Sequence, residues 1–75
     1  MPTVTSKQLA QRKAFGARVR ELRRESGFSQ EELAHRAELD RSYVGQVERG
    51  ERNVSLDNIH RLAESLELKV RDLFE

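Results

Sequence analysis

The chain has 75 residues, enough for one small domain with a limited hydrophobic core. It has no cysteine, which excludes disulfides and thiolate metal sites, and it has no apolar run of membrane-spanning or signal-peptide character. Charged residues make up 36% of the sequence but leave a formal net charge of only +1. We therefore expect a soluble, cytoplasmic protein.

The charges are unevenly distributed along the chain. Residues 1–26 carry seven Lys or Arg residues against two acidic residues, a charge of +5, whereas residues 27–53 and 54–75 each carry −2. A basic segment is typical of contact with a polyanion, but it is equally typical of a solvated helix face. Charge alone leaves both interpretations open.

The first predicted helix covers residues 6–26 and is followed by Gly27, a typical C-terminal stop. Residues 1–6 are expected to be frayed. Leu9 lies off the apolar stripe of this helix, which recurs at i, i+4, i+7. The stripe consists of Phe15, Val19 and Leu22.

Two short helices are predicted next. Ser29 and Glu32 form a capping box at the start of the second helix, in which the Glu32 side chain reaches back to the cap. Asp40 is the predicted N-cap of the third helix, and Gly50 ends it. Their apolar positions are Leu33, Ala34 and Ala37 in the second helix and Val44 and Val47 in the third.

The C-terminal part predicts two more helices. Ser55 caps the fourth, and the fifth is short and lacks a good cap at Glu67 or Lys69. No stretch alternates with period two, so the predicted fold is all-α with five helices. The predicted apolar positions are Leu56, Ile59, Leu62, Ala63 and Leu66 in the fourth helix and Val70, Leu73 and Phe74 in the fifth.

The connection between the second and third helices is too short to reverse the chain into a long hairpin. A link of about three residues forces two short helices to cross steeply, at about 90–120°. The third helix then protrudes with its N-terminal half exposed. This arrangement, a helix-turn-helix over about residues 30–49, is the one that inserts a helix into the DNA major groove.

The segment SQEELAHRAELDRSYVGQVERGERNVSLDNIHRLAESLELKVRDLF closely resembles the λ-repressor/Cro-like (XRE) family of DNA-binding domains. The resemblance covers about residues 14–74, and its strongest parts are SQEELA, the V-x-x-V-E-x-G end of the third helix, and SLDNIHRLAESL. It implies a compact, five-helix λ-repressor-like domain spanning the whole chain. The small size also resembles the controller proteins of restriction–modification systems.

The resemblance implies roles for individual residues. An Arg can pair with guanine and a Gln with adenine, so the third helix is expected to read bases, although the same residues could be only its solvated face. The implied base-reading residues are Arg41, Ser42, Tyr43 and Gln46; the implied phosphate contacts are Gln30, Arg49, Arg52 and Asn53. Tyr43 has an alternative, which is to pack beside Phe28. Arg23 and Glu48 are expected to form a structural ion pair between the first and third helices.

Three positions depart from the family pattern. Glu38 stands at the turn of the helix-turn-helix, where the family usually has a glycine in a left-handed conformation. A non-glycine residue there costs about 1 kcal/mol. Glu67 likewise replaces a usual Gly, and Lys69 a usual Ser or Asp. These departures bear on the geometry between the last two helices.

The resemblance implies a transcriptional regulator that binds a palindromic operator in double-stranded DNA as a homodimer and controls its own operon. The expected dimer surface lies in residues 55–75, at Leu66, Leu68, Val70 and Phe74, although Leu73 and Phe74 could instead close the core. The alternative is an antitoxin or adaptor that binds a protein partner. His35 and His60 have acidic neighbours at helical spacing, but one His in each group argues against a metal site. No cofactor, small-molecule ligand or catalytic site is expected.

Overall fold

In the computed structural model, which describes residues 3–75, four α-helices are followed by one 3₁₀ helix. The α-helices are α1 (Ser6–Glu25), α2 (Gln30–Ala37), α3 (Arg41–Glu48) and α4 (Leu56–Ser65), and the 3₁₀ helix covers Val70–Phe74. The all-α prediction is confirmed. No helix in this part of the chain is both long and apolar enough to cross a membrane.

The fifth predicted helix is a 3₁₀ helix rather than an α-helix. It has five residues, a length typical of 3₁₀ helices, which are rarely long. The N-cap residue, Lys69, has no side-chain acceptor for the N–H groups of the first turn. The Asp72 carboxylate accepts a hydrogen bond from the Lys69 backbone N–H at 3.0 Å. In return, the Asp72 backbone N–H donates to the Lys69 carbonyl oxygen at 2.9 Å, so backbone and carboxylate together close this turn.

The N-termini of the α-helices follow the predicted caps with two differences. Ser29 and Ser55 accept hydrogen bonds from the backbone N–H groups three residues on, as predicted. Glu32 instead accepts from Arg36 at 3.1 Å, and the Asp40 side chain makes no capping hydrogen bond. The Glu32 carboxylate is therefore bonded within α2, and the Asp40 carboxylate is exposed to solvent.

The start of α1 is also capped. Thr5 and Gln8 form a reciprocal capping box, which was not predicted from the sequence. Of the segment expected to fray, Met1 and Pro2 lie outside the described residues, and the helix begins at Ser6.

All four α-helices end with the same pair of backbone hydrogen bonds. After α2, the N–H of Leu39 donates to Ala34 at 2.8 Å and the N–H of Glu38 donates to His35 at 3.2 Å. This pattern is the Schellman motif, which needs one residue in the left-handed region. That residue is Gly27 after α1, Glu38 after α2, Gly50 after α3 and Glu67 after α4.

The core lies where the middle of α1 meets the other helices. The predicted apolar stripes of α1, α2 and α3 are all buried, and Leu62, Ala63 and Leu66 of α4 and Leu73 of the 3₁₀ helix complete the core. Leu56 was predicted to belong to the α4 stripe, but it is 68% exposed. It is the first residue of α4, where no other element covers it.

Candidate nucleic-acid interface

The first turn of α3 is the exposed end of the helix-turn-helix. Arg41 and Ser42 are exposed and have no side-chain hydrogen bond to another described residue, whereas Val44 and Val47 on the other face are buried in the core. The chain therefore holds α3 by one face and leaves polar groups on the other. Arg41 can donate to two acceptors at once, which suits the O6 and N7 edge of a guanine.

Tyr43 is half-buried and makes contacts with the loop and with α4. Its hydroxyl accepts a hydrogen bond from Asn58 at 3.1 Å, and the Arg52 guanidinium lies 4.9 Å from the ring centroid. The Phe28 ring is instead covered by Arg36 at 4.3 Å. Asn58, to which the sequence assigned no role, thus links α4 to the candidate base-reading helix.

Gln46 is half-buried and lies next to the loop that follows α3. Its Oε1 accepts a long hydrogen bond of 3.4 Å from Arg52. A bond at this distance is weak and breaks easily. Gln46 and Arg52, for which the sequence predicted a base contact and a phosphate contact, are therefore neighbours already in the free protein.

A buried network fixes the C-terminal end of α3. Arg23 Nε donates to Glu48 Oε2 at 2.6 Å, and Gln30 Nε2 donates to Glu48 Oε1 at 3.0 Å. A third bond joins Arg23 to the Phe28 carbonyl oxygen at 2.8 Å. Glu48 thus ties α3 to α1 and to α2. Removing one member would leave a buried charge without its partner, which is strongly destabilising.

The loop after α3 carries the remaining predicted phosphate contacts. Arg49, Arg52 and Asn53 are all exposed. Arg49 Nε donates to Glu51 Oε2 at 2.9 Å. This hydrogen bond and the attraction between the charges raise the pKa of Arg49 and lower the pKa of Glu51 relative to their ordinary values. Arg49 is thus paired with a carboxylate that is also exposed.

The predicted dimer surface needs a correction at one residue. Leu66 is only 6% exposed because it packs in the core, so it has little surface to offer a second subunit. Leu68 and Val70 are half-buried, and Phe74 is 62% exposed although its ring contacts Phe15 at 5.2 Å between centroids. Leu56, which was predicted to lie in the core, is exposed instead and adds an apolar residue to the surface of this part of the chain.

The two histidines make no cluster of metal ligands in the described chain. His60 Nδ1 lies 2.9 Å from the Leu56 carbonyl oxygen, one turn earlier in the same helix. This contact is local to α4.

The family model for helix-turn-helix domains matches residues 19–73. The chain belongs to this family. The match contains all of α2, α3 and α4, and it therefore includes every residue assigned above to base reading or phosphate contact.

Among relatives of this helix-turn-helix chain, control protein C.BamHI of Bacillus amyloliquefaciens is 45% identical over 62 residues, covering 81% of this chain and 76% of the relative. Control protein C.SmaI of Serratia marcescens is 46% identical over 55 residues, covering 73% and 66%. The crystal structure of the restriction–modification controller protein C.AhdI from Aeromonas hydrophila superimposes with a TM-score of 0.85 at 58% identity, covering 87% of this chain and 98% of that one. Both sequence and fold thus resemble controller proteins.

Proposed function

We propose that this chain, a helix-turn-helix DNA-binding transcriptional regulator, binds a palindromic operator as a homodimer and controls its own operon. The similarity to controller proteins supports a restriction–modification operon as the setting. A regulator of this kind acts on the DNA of the cell, so we place it in the cytoplasm, associated with the nucleoid through DNA binding.

The observation that carries the proposal is the exposed polar turn of α3 on a helix that is otherwise fixed. Arg41 and Ser42 are exposed at the end of α3 that protrudes, and Glu48 anchors the opposite end through buried hydrogen bonds. Base readout benefits from a helix whose position is set before binding, because a loosely held helix would present its side chains with less geometric selectivity. We infer that Arg41, Ser42, Tyr43 and Gln46 read bases.

Phosphate contacts position this helix in the groove. Gln30 lies at the start of α2, and the loop residues Arg49, Arg52 and Asn53 lie just beyond the end of α3. Gln30 also bonds to Glu48, so these contacts gather near the C-terminal end of the recognition helix, where they fix its register without themselves selecting a sequence. We infer that these four residues bind the DNA backbone.

A homodimer follows from the small size of the domain. One helix of eight residues reads only a few base pairs, and useful selectivity needs a second helix about 34 Å away on a two-fold symmetric site. Residues 1–75 form one domain, the helix-turn-helix covers about residues 30–49, and the dimer surface lies within residues 55–75. That surface comprises Leu56, Leu68, Val70 and Phe74, without Leu66.

Fluorescence anisotropy on two duplexes tests the proposal. The wild-type protein should bind the region upstream of its own gene more tightly than a scrambled duplex of equal length, at both low and high salt. Arg41→Gln should reduce this discrimination by about 1–3 kcal/mol, the value of one bidentate contact to a base. Gln46→Ala should act in the same direction.

The matched control is Arg61→Gln, which removes the same charge from an exposed position on α4. It should leave the discrimination unchanged. Equal binding of both duplexes by the wild type would contradict sequence-specific regulation. Tight binding of a protein partner, with little response to salt, would instead favour the adaptor or antitoxin alternative.

A further inference from the structure

A basic cleft lies between the C-terminal half of α1 and the end of α3. It has a volume of about 440 Å³ and is lined by Arg20, Arg23, Arg24, Gln30, Glu48 and Arg49. Building on the proposed function, we propose that Arg20 and Arg24 bind a phosphate of the DNA backbone in this cleft. The contact surface would then extend from the helix-turn-helix onto α1, beyond the residues assigned from the sequence.

The charge of the cleft favours an anion because its one carboxylate is already neutralised. Both oxygens of Glu48 accept hydrogen bonds, from Arg23 and from Gln30. Arg23 in turn uses its three nitrogens on Glu48 and on the Phe28 carbonyl oxygen. This network is closed, so the charges left to an incoming ligand are those of Arg20 and Arg24, beside Arg49, which is paired with Glu51.

Arg20 and Arg24 carry like charges close together, although Glu21 and Glu25 line the neighbouring cleft with them. Both side chains are exposed, and within residues 3–75 neither forms an ion pair with a carboxylate. They are four residues apart on one helix, a spacing at which like charges repel each other. The helix dipole favours Arg24 in the last turn of α1 but does not extend back to Arg20. A bound anion would relieve this repulsion.

The cleft is continuous with the contacts proposed for the backbone. Gln30 and Arg49, both inferred to bind phosphate, line the same cleft as Arg20 and Arg24. A phosphate located there would therefore be adjacent to those proposed to bind at the start of α2 and the end of α3. This position also gives a role to part of the +5 charge of residues 1–26.

A phosphate-binding arginine has a measurable signature that differs from base reading. Each phosphate neutralised by the protein adds about 0.9 to the magnitude of the slope of log affinity against log salt concentration. Because every sequence carries phosphates, removing such an arginine weakens binding to specific and scrambled DNA by the same factor.

The test compares Arg20→Gln, Arg24→Gln and the double variant with Arg61→Gln in salt titrations on the upstream and scrambled duplexes. We expect the double variant to bind both duplexes more weakly by a similar factor. Its salt slope should be lower by about 0.9 for each phosphate that a bound subunit no longer neutralises. Discrimination between the duplexes should stay at the wild-type value. Circular dichroism should show unchanged helix content, since both arginines are exposed.

Neutral methylphosphonate linkages, introduced one at a time at the edges of the operator, provide a second measurement. One such linkage should weaken the wild type and have no further effect on the double variant. If the double variant behaves like Arg61→Gln, or if its discrimination falls while its salt slope does not, the cleft does not bind phosphate. The scrambled duplex tests the cleft even where the wild type shows no sequence preference, so the two proposals can fail separately.

Discussion

Two glutamates hold the backbone in the left-handed region, where an L side chain crowds its own carbonyl group. Glu38 has a φ of 57° and Glu67 has a φ of 56°, and each lies at the same position of a Schellman motif that Gly27 and Gly50 occupy elsewhere. The family resemblance identified both positions as departures from glycine. The chain thus adopts the family's backbone at these turns with a residue that strains it.

Glu38→Gly should therefore stabilise the protein, by up to about 1 kcal/mol, because the relief of strain exceeds the added flexibility of the unfolded chain. Glu67→Gly should act similarly. Urea denaturation followed by circular dichroism measures the change. Glu64→Gly, inside α4, is the matched control and should destabilise by about 1 kcal/mol. Equal losses in all three variants would show that the left-handed turns carry no relievable strain.

Local chemistry explains which residue predictions succeeded. The serine caps depend on neighbours within a few residues, so Ser29 and Ser55 were predictable, whereas the left-handed turn at Glu38 was implied by the family resemblance. The burial of Leu56 and Leu66 was not predictable, because an apolar stripe shows only that the two residues share a face of the helix. The packing of the other elements over that face decides which end of the stripe is covered. It covers Leu66 and leaves Leu56 exposed.

At the scale of elements, α1 and the C-terminal end of α3 approach each other closely. A Cβ atom added at Gly16 would overlap the backbone carbonyl oxygen of Val47 and lie 2.8 Å from that of Glu48. Neither is a flexible side chain that could move aside. Gly16 therefore lets α3 lie directly against α1, at the point where Glu48 also bonds to Arg23. This contact sets the position of the recognition helix.

Gly16→Ala should destabilise the domain by about 1–3 kcal/mol, the usual cost of overpacking, despite the better helix propensity of alanine. Gly45→Ala is the matched control, because its nearest neighbour would be Arg49 Nη1, at 3.2 Å and at the end of a flexible side chain. The control should be neutral or up to about 1 kcal/mol more stable. Thermal or urea unfolding measures both. A Gly16→Ala variant as stable as the wild type would contradict the close approach.

The element pattern was largely predictable, but the contacts between elements were not. Periodicity and caps gave the four α-helices, because both are local properties of the sequence. The hydrogen bond from Asn58 to Tyr43 and the stacking of Arg52 on Tyr43 join residues of different elements. Only the three-dimensional arrangement reveals such contacts. The convergence of Arg20, Arg24 and Arg49 on one cleft is of the same kind.

At the scale of the whole molecule, the proposed dimer surface rests on exposed apolar side chains on the C-terminal half. Leu56 is 68% and Phe74 62% exposed. Ile59 lies three residues after Leu56 on α4 and lines one cleft together with Phe74. Apolar groups left uncovered on a small domain favour association.

Leu56→Gln should raise the dissociation constant of the dimer at least about tenfold, because a symmetric interface contains the residue twice and 1.4 kcal/mol corresponds to a factor of about ten. Sedimentation equilibrium measures the change. Leu9→Gln, an exposed leucine on α1, is the control and should leave the dimer unaffected. Unchanged association in Leu56→Gln, or a monomeric wild type, would contradict the proposed surface.

The length of α1 has a consequence for how the molecule opens. The helix is 20 residues long, yet residues 6–11 are exposed, and its first buried residue is Phe15. Local unfolding requires little free energy where few groups are buried. In hydrogen exchange, this one helix should therefore divide into two units. The amides before Phe15 exchange by local fraying, and those around Val19 and Leu22 exchange only when the core itself unfolds.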